Sequence, residues 1–307
     1  MSDITTGTAG FVVGGETYQT WYKVVGNLKS GIRPLVTLHG GPGVPHHYLS
    51  TQDVLYKINS IPVVFYDQLG CGASTHLPEK GKDFWTEELF MDELDNLLTH
   101  LGIADDFDLL GHSWGGMLGA AYASKRHPAG LKRLVLLDTP ASMALWDASC
   151  AILLEGLPKD TQEILKKHQE AGTLEDPEYK AAVALFYQRH VCRTNPWPND
   201  VLKSFAGLEE DPTVYNIMAG PNEFYIIGTL KTWSVIDSLH TITQPTLIVN
   251  SRYDEAQDIC VTPLFENIPK AKWVQMGESS HMPFHEEPER YFKVVSQFLT
   301  ANYSSTM

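Results

Sequence analysis

Short apolar runs alternate with amphipathic segments along most of the chain. An apolar run bounded by turn-forming residues is typical of a buried strand, whereas apolar positions three and four apart indicate a helix. Leu94, Leu97, Leu98 and Leu101 have the helical spacing. The predicted strands are residues 11–13, 18–25, 34–39, 62–66, 107–110, 131–138, 245–250 and 271–276. The predicted helices that accompany them are residues 85–101, 117–126 and 288–303.

This alternation of strands and helices predicts an α/β fold, with a mostly parallel sheet and helices on both faces. The alternation stops at Pro140. Residues 141–239 are predicted to be helical, with few strand signals. We therefore expect an α/β core made of residues 1–140 and 240–307, and a helical cap, residues 141–239, inserted after the sixth strand. The helices expected in the cap include residues 144–155, 159–170 and 177–190.

Gly111-His-Ser-Trp-Gly115 lies between a predicted strand and a predicted helix. A G-x-S-x-G sequence in this context is a nucleophile elbow, which is a tight turn that presents the serine hydroxyl above the sheet. The two glycines leave room where the backbone passes close to itself. The sequence therefore predicts Ser113 as a nucleophile. The alternative is a serine in an ordinary turn.

A serine nucleophile needs a histidine base and an acid that orients the base, and in this architecture the chain order is Ser, Asp or Glu, then His. Asp254 follows the strand 245–250, and His281 follows the strand 271–276. Since parallel strands end at one edge of the sheet, both loops should meet Ser113. Asp138 is a rival for the acid because it also ends a strand.

Two other histidines close to these positions are expected to have no catalytic role. His285 should be a surface residue at the start of the last helix. His112 should point away from the partner of Ser113.

An oxyanion hole requires two backbone N–H groups aimed at one point. One is expected from Trp114, the residue after the nucleophile. The other is expected from Gly41, with Gly40 as the alternative, because these glycines follow the strand 34–39 and allow close approach of the backbone. His39 is expected to be structural.

Three motifs together carry a resemblance to a known family. The segments 39–43 (HGGPG), 66–74 (YDQLGCGAS) and 111–116 (GHSWGG) resemble those of the proline iminopeptidase family of α/β-hydrolases. The resemblance implies an α/β-hydrolase core with a helical cap, cleavage of an N-terminal residue, and no metal or organic cofactor. Leu69 stands where the commonest bacterial members have arginine. In this respect the chain is more similar to the tricorn-associated aminopeptidases and the L-proline amide and L-amino acid amide hydrolases.

The resemblance also implies a site for the free amine of the substrate, since this family binds that amine with carboxylates. Glu223, in the segment 220–224, and Glu255, directly after Asp254, match those positions. An ammonium is best held by opposite charges in a partly desolvated site. The alternatives are a solvated carboxylate in the cap for Glu223 and a carboxylate at a helix start for Glu255.

The composition of the chain limits the classes of binding partner that we expect. The chain has 307 residues and a formal net charge of −14, which argues against nucleic acid or an anionic membrane as a partner. No apolar stretch approaches the roughly 20 residues of a membrane span. The four cysteines are scattered, and the N-terminus does not resemble a signal peptide, so we expect a cytoplasmic protein with free thiols.

The sequence thus predicts a serine hydrolase that cleaves an N-terminal amino acid, proline or another small or apolar residue, through an acyl-enzyme. The expected partner is a small amide or a short peptide with a free N-terminus. An esterase, lactonase or acyltransferase with the same triad is one alternative. A catalytically silent binding protein is another, which the complete set of Ser, Asp and His disfavours.

Overall fold

A computed structural model describes residues 3–301 of the chain. The described residues form one eight-stranded sheet with the order β1-β2-β4-β3-β5-β6-β7-β8. The first two strands pair antiparallel with each other, and β2 pairs antiparallel with β4, whereas all other neighbours are parallel. The strands are β1 (Ile4–Val13), β2 (Glu16–Val25), β3 (Leu35–Leu38), β4 (Val63–Tyr66), β5 (Phe107–His112), β6 (Leu131–Leu137), β7 (Thr246–Ser251) and β8 (Ala271–Met276).

The first strand is longer than the sequence pattern predicted. It begins at Ile4 rather than at Phe11, and it pairs with β2 along its whole length, from Ile4 opposite Val25 to Val13 opposite Glu16. Its first half is rich in threonine and glycine and gives no apolar alternation. Gly7 suits this pairing because a Cβ atom there would lie 2.6 Å from the hydroxyl of Tyr22.

Six α-helices accompany the sheet outside the segment between β6 and β7. They are α1 (Val54–Asn59), α2 (Glu87–Leu101), α3 (Trp114–Arg126), α9 (Asp258–Asn267), α10 (Pro283–Glu286) and α11 (Pro288–Thr300), counted over residues 3–301. The predicted end of the last helix, at residue 303, lies outside the described residues.

Five α-helices lie between β6 and β7 in the described part of the chain. They are α4 (Met143–Glu155), α5 (Lys159–Ala171), α6 (Pro177–His190), α7 (Asn199–Glu210) and α8 (Thr213–Met218). The predicted fold class is therefore confirmed, including the helical cap after the sixth strand. The sequence pattern did not single out α7 and α8.

The central strands are buried on both faces. Every residue of β3, β4, β5 and β7 is buried. Successive side chains of a strand point to opposite faces, so Leu109 joins one apolar cluster and Leu110 joins the other. The strand that leads to Ser113 is thereby packed from both sides. Among residues 3–301, no helix has the length and apolar character that a membrane span requires.

Candidate active site

Ser113 lies in the sharp turn between β5 and α3. Its backbone has φ +56° and ψ −123°, a conformation that costs a non-glycine residue free energy. A Cβ atom on Gly111 would lie 2.2 Å from the carbonyl oxygen of Gly115, and a Cβ atom on Gly115 would lie 2.1 Å from that of Leu38. Only glycine fits at either position, so these residues allow the turn that presents the serine.

Asp254 and His281 meet at the same edge of the sheet. The strands before them, β7 and β8, are parallel neighbours, and the Oδ1 atom of Asp254 lies 2.6 Å from the Nδ1 atom of His281. Both side chains are buried. Burial lowers the pKa of His281, but the carboxylate of Asp254 outweighs it and raises that pKa above its ordinary value of 6.5. With Nδ1–H donating to Asp254, the neutral ring keeps its lone pair on Nε2.

Asp138, the rival for the acid of the triad, lies next to Asp254 and accepts from Ser251, not from His281. It is fully buried beside Asp254, and the hydroxyl of Ser251 donates to its Oδ1 atom over 3.4 Å. Burial, together with the nearby charge of Asp254, raises the pKa of Asp138 well above its ordinary value. The carboxylate hydrogen-bonded to His281 is Asp254.

The two glycines considered for the oxyanion hole differ in their partners. The N–H group of Gly40 donates to the hydroxyl of Tyr48 over 2.7 Å and is therefore engaged. Gly41, with φ +107°, lines two small cavities that Ser113 also lines. Trp114 is the first residue of α3, where a backbone N–H has no partner within the helix. These facts favour Gly41 over Gly40 as the partner of Trp114.

Gln68 fixes the loops around these backbone groups. Its N–H donates to the Nε2 atom of His39 over 2.9 Å, and its side-chain amide donates to the carbonyl of His39 over 3.1 Å. Its Oε1 atom accepts from the indole of Trp114 over 2.9 Å. His39 is buried, and its two hydrogen bonds with Gln68 give it a structural role. The sequence reasoning gave Gln68 no role, although it lies within the quoted segment 66–74.

Glu223 faces the nucleophile from the cap. It lines both cavities that Ser113 lines, and it accepts a hydrogen bond from the hydroxyl of Tyr215 over 2.8 Å. Enclosure by protein raises the pKa of Glu223, and the Tyr215 hydrogen bond and His281 offset part of that rise. The indole of Trp146 donates to the backbone carbonyl of Glu223 over 2.6 Å, which holds the segment in place.

Glu255 is fully buried, and it is not among the residues that line these two cavities. Neither of its carboxylate oxygens has a hydrogen-bond partner among the described residues. Burial, and then repulsion from Glu223 and Asp254, raises its pKa well above the ordinary value. A buried carboxylate without a partner is costly, so burial favours the neutral form of Glu255.

The expectations for two histidines were wrong or incomplete. His112 was predicted to point away from the partner of Ser113, but its ring centroid lies 4.5 Å from that of His281. Its Nε2 atom lies 2.7 Å from the backbone carbonyl of His281. His285 lies in α10, is half-buried, and donates from Nε2 to the carbonyl of Tyr48 over 2.8 Å.

One group of possible metal ligands occurs among residues 3–301, and it lies in the cap. His168, Asp176 and Glu178 have ligand atoms within 4.8 Å of one another. Each already has a partner: Asp176 caps the start of α6, and Glu178 pairs with Lys167 at 2.8 Å and with His168 at 3.1 Å. The three side chains therefore lie close together because they stabilise the start of α6.

Comparison with known proteins agrees with this geometry. A family model described as alpha/beta hydrolase fold matches residues 33–288, so the protein is an α/β-hydrolase. A proline iminopeptidase of Saccharolobus solfataricus is 38% identical over 94% of this chain and 91% of its own length. The chain belongs to the proline iminopeptidase family, as the sequence motifs predicted.

Two solved structures are also similar. The crystal structure of VinJ has a TM-score of 0.92 and 50% sequence identity, covering 95% of this chain and 98% of VinJ. That of the proline iminopeptidase of Mycobacterium smegmatis has a TM-score of 0.88 and 43% identity, covering 95% and 97% of the two chains. These similarities cover both the core and the cap.

Proposed function

We propose that this protein is a serine aminopeptidase or amino acid amidase. It releases an N-terminal residue, proline or another small apolar residue, from a short peptide or an amide. The observation that carries the proposal is that Ser113 and Glu223 line the same cavities. A nucleophile next to a carboxylate suits a carbonyl carbon close to an ammonium group, which is the arrangement in the first residue of a peptide. The relatives named proline iminopeptidase support the proposal.

In the proposed mechanism Ser113 attacks the amide carbonyl while His281 takes the serine proton on Nε2. Asp254 holds the opposite ring nitrogen and stabilises the imidazolium. The N–H groups of Gly41 and Trp114 donate to the oxyanion. His281 then returns the proton to the leaving amine, and water releases the amino acid from the acyl-enzyme.

The proposed amine site consists of Glu223 and Glu255. Enclosure by protein raises the pKa of both carboxylates, and the charge of Glu223 raises that of Glu255 further, so a bound ammonium would stabilise their ionised forms. The rest of the cavity beside Glu223 is apolar and suits the side chain of a first residue such as proline. Its apolar lining consists of Trp114, Met117, Pro140, Met143, Trp146, Ala219, Ile226 and Leu230.

Two further assignments belong to this proposal. The cap is taken as residues 141–239, with the core in residues 1–140 and 240–307. A cytoplasmic location is supported by the four cysteines, which are all free and buried.

The first test concerns the nucleophile. Ser113→Ala should abolish turnover of L-prolyl and L-alanyl p-nitroanilides while the protein remains folded by circular dichroism. Turnover at the wild-type rate in this variant would overturn the proposed mechanism.

The second test concerns the amine site. Glu223→Gln should lower kcat/KM for the free-amine anilides by roughly 10- to 150-fold, the range that a hydrogen bond to a charged group contributes. The N-acetylated anilides and p-nitrophenyl butyrate, which have no amine, should lose far less. Glu210→Gln, an exposed glutamate at the end of α7, is the matched control and should behave as wild type. Equal losses on substrates with and without the amine would refute the amine site.

A further inference from the structure

A chain of three hydrogen bonds connects Gly40 with His281. The N–H group of Gly40 lies 2.7 Å from the hydroxyl oxygen of Tyr48. The same oxygen lies 2.8 Å from the Nδ1 atom of His112, whose Nε2 atom lies 2.7 Å from the backbone carbonyl of His281. His112 directly precedes Ser113 in the chain. The connection therefore joins the glycine loop, the nucleophile turn and the histidine loop.

The direction of each hydrogen bond follows from the chemistry of its partners. A peptide carbonyl can only accept, so the Nε2 atom of His112 must carry a proton and donate to His281. The Nδ1 atom of the neutral ring is then an acceptor, and the hydroxyl of Tyr48 donates to it. The hydroxyl oxygen of Tyr48 in turn accepts from Gly40. Every donor has an acceptor, and the tautomer of His112 with its proton on Nε2 satisfies all three hydrogen bonds.

His112 is held in the neutral form that this arrangement requires. Burial, and then the charge of His281, lowers the pKa of His112 well below its ordinary value. The two rings have centroids 4.5 Å apart. A neutral His112 does not repel the imidazolium that His281 becomes when it accepts the serine proton. A charged residue at this place would oppose that step.

The hydroxyl of Tyr48 is fixed through its own backbone. The backbone N–H group of Tyr48 donates to the hydroxyl of Ser204 in α7 over 2.9 Å, and the backbone carbonyl of Tyr48 accepts from His285 in α10 over 2.8 Å. The ring of Phe284 lies against both Tyr48, at a centroid distance of 6.0 Å, and His112, at 5.5 Å. Tyr48 is thus a rigid anchor to which the Gly40 peptide and the His112 ring are both attached.

We propose that Tyr48 and His112 are positioning residues, which hold the proposed oxyanion donor and the proposed base in fixed relation to Ser113. The Gly40 peptide that Tyr48 binds directly precedes the N–H group of Gly41, and the carbonyl that His112 binds belongs to His281 itself. This inference rests on the roles proposed above for Ser113, His281 and Gly41. It adds two residues that line one of the cavities shared by Ser113 and Glu223, and it assigns them a positioning role through their hydrogen bonds.

The consequence is kinetic. A group displaced by about 1 Å costs roughly 100-fold in rate. Removing these hydrogen bonds should therefore lower kcat by about 10- to 100-fold, within the range that misplacement of a reacting group allows. KM for p-nitrophenyl butyrate should stay within about twofold, since the inference assigns both residues to placing the reacting groups and not to holding the ester.

The test compares two buried tyrosines. Tyr48→Phe removes the central hydroxyl. Tyr291→Phe removes a buried hydroxyl that donates to Gln52 over 3.1 Å, and the ring of Tyr291, like that of Tyr48, packs on Phe284. Both variants should lose thermal stability, Tyr48→Phe the more because its hydroxyl makes two hydrogen bonds, but only Tyr48→Phe should lose kcat. The rate of phosphonylation of Ser113 by a fluorophosphonate should fall with kcat. An unchanged kcat in Tyr48→Phe, or an equal loss of kcat in Tyr48→Phe and Tyr291→Phe, would overturn the inference.

Variants of His112 provide a second measurement. His112→Ala breaks two of the bonds, whereas the amide of His112→Gln can still donate to the His281 carbonyl and should recover part of kcat. The double variant Tyr48→Phe/His112→Ala should lose less kcat than the product of the two single losses, because the hydrogen bond between Tyr48 and His112 is removed in both single variants. Independent, multiplicative losses would refute the connection. Persistent turnover in Ser113→Ala would instead indicate that the proposed function is wrong.

Discussion

Glu93 offers a test of how a buried charge supports the loop that carries Gln68. This residue of α2 is fully buried, and its carboxylate accepts from the hydroxyl of Thr20 over 2.5 Å and from the N–H of Leu69 over 3.0 and 3.1 Å. Burial raises its pKa from an ordinary 4.5 to about 7, although both hydrogen bonds oppose the rise. The change to make is Glu93→Gln, which keeps an oxygen acceptor for Leu69 and removes the titration.

The sign follows from proton binding. Below about pH 4.5 the carboxyl is protonated in the folded and the unfolded chain alike, so it contributes no pH dependence. Between pH 4.5 and about 7 the unfolded chain releases the proton while the folded chain retains it, so the free energy of unfolding falls as pH rises. Above about pH 7 both states are ionised and the effect is constant. The rise in pKa corresponds to about 3 kcal/mol of stability lost across this window.

The measurement is urea unfolding of wild type and Glu93→Gln at pH 5, 6, 7 and 8. The other titrating groups are common to both proteins, so the difference between the two isolates Glu93. Wild type should lose stability relative to the variant as pH rises, by about 3 kcal/mol in total. Glu88→Gln, an exposed residue of the same helix, is the control and should follow wild type. A difference that does not vary with pH would refute the reasoning.

Two further predictions follow from the site. Asp254 raises the pKa of His281, and activity requires the neutral ring, so kcat/KM should fall as pH drops through that pKa. In Asp254→Asn this acidic limb should move to lower pH, and kcat should fall by roughly 10⁴-fold, which pH–rate profiles measure; an unmoved limb would exclude the Asp254–His281 pair as its origin. Gly111→Ala would place a methyl group 2.2 Å from a carbonyl oxygen and should cost about 1–3 kcal/mol or more in thermal unfolding. Gly10→Ala, where the nearest atom is 3.6 Å away, should be close to neutral, and equal losses in both variants would contradict the steric argument.

The fold and the meeting of Asp254 with His281 could be predicted because parallel strands impose them. Once the sequence indicates strands at 245–250 and 271–276, the residues that follow them must open on the same edge. The pairing at 2.6 Å is a consequence of that topology. The choice between Gly40 and Gly41 could not be made from sequence, because it depends on a hydroxyl that arrives from Tyr48.

Tyr48 gave no signal in the sequence. It lies in a 3-10 segment, His46–Asp53, which has neither strand nor helix periodicity, and its partners are 8 and 64 residues away. The error over His112 has a related cause. Elbow geometry fixes where the serine points, but the neighbouring side chain is placed by the histidine loop that packs against it.

The carboxylates of the site give a physical reason for selecting a charged substrate. Asp138, Glu223 and Glu255 are enclosed together with Asp254, and burial raises the pKa of each of the first three. One histidine with a raised pKa faces them. A substrate that has an ammonium group stabilises the ionised forms of these carboxylates, whereas a neutral ester leaves them without a charged partner. Under the proposed function, discrimination between these substrates then arises less from the shape of the cavity than from charges that are costly to bury without a partner.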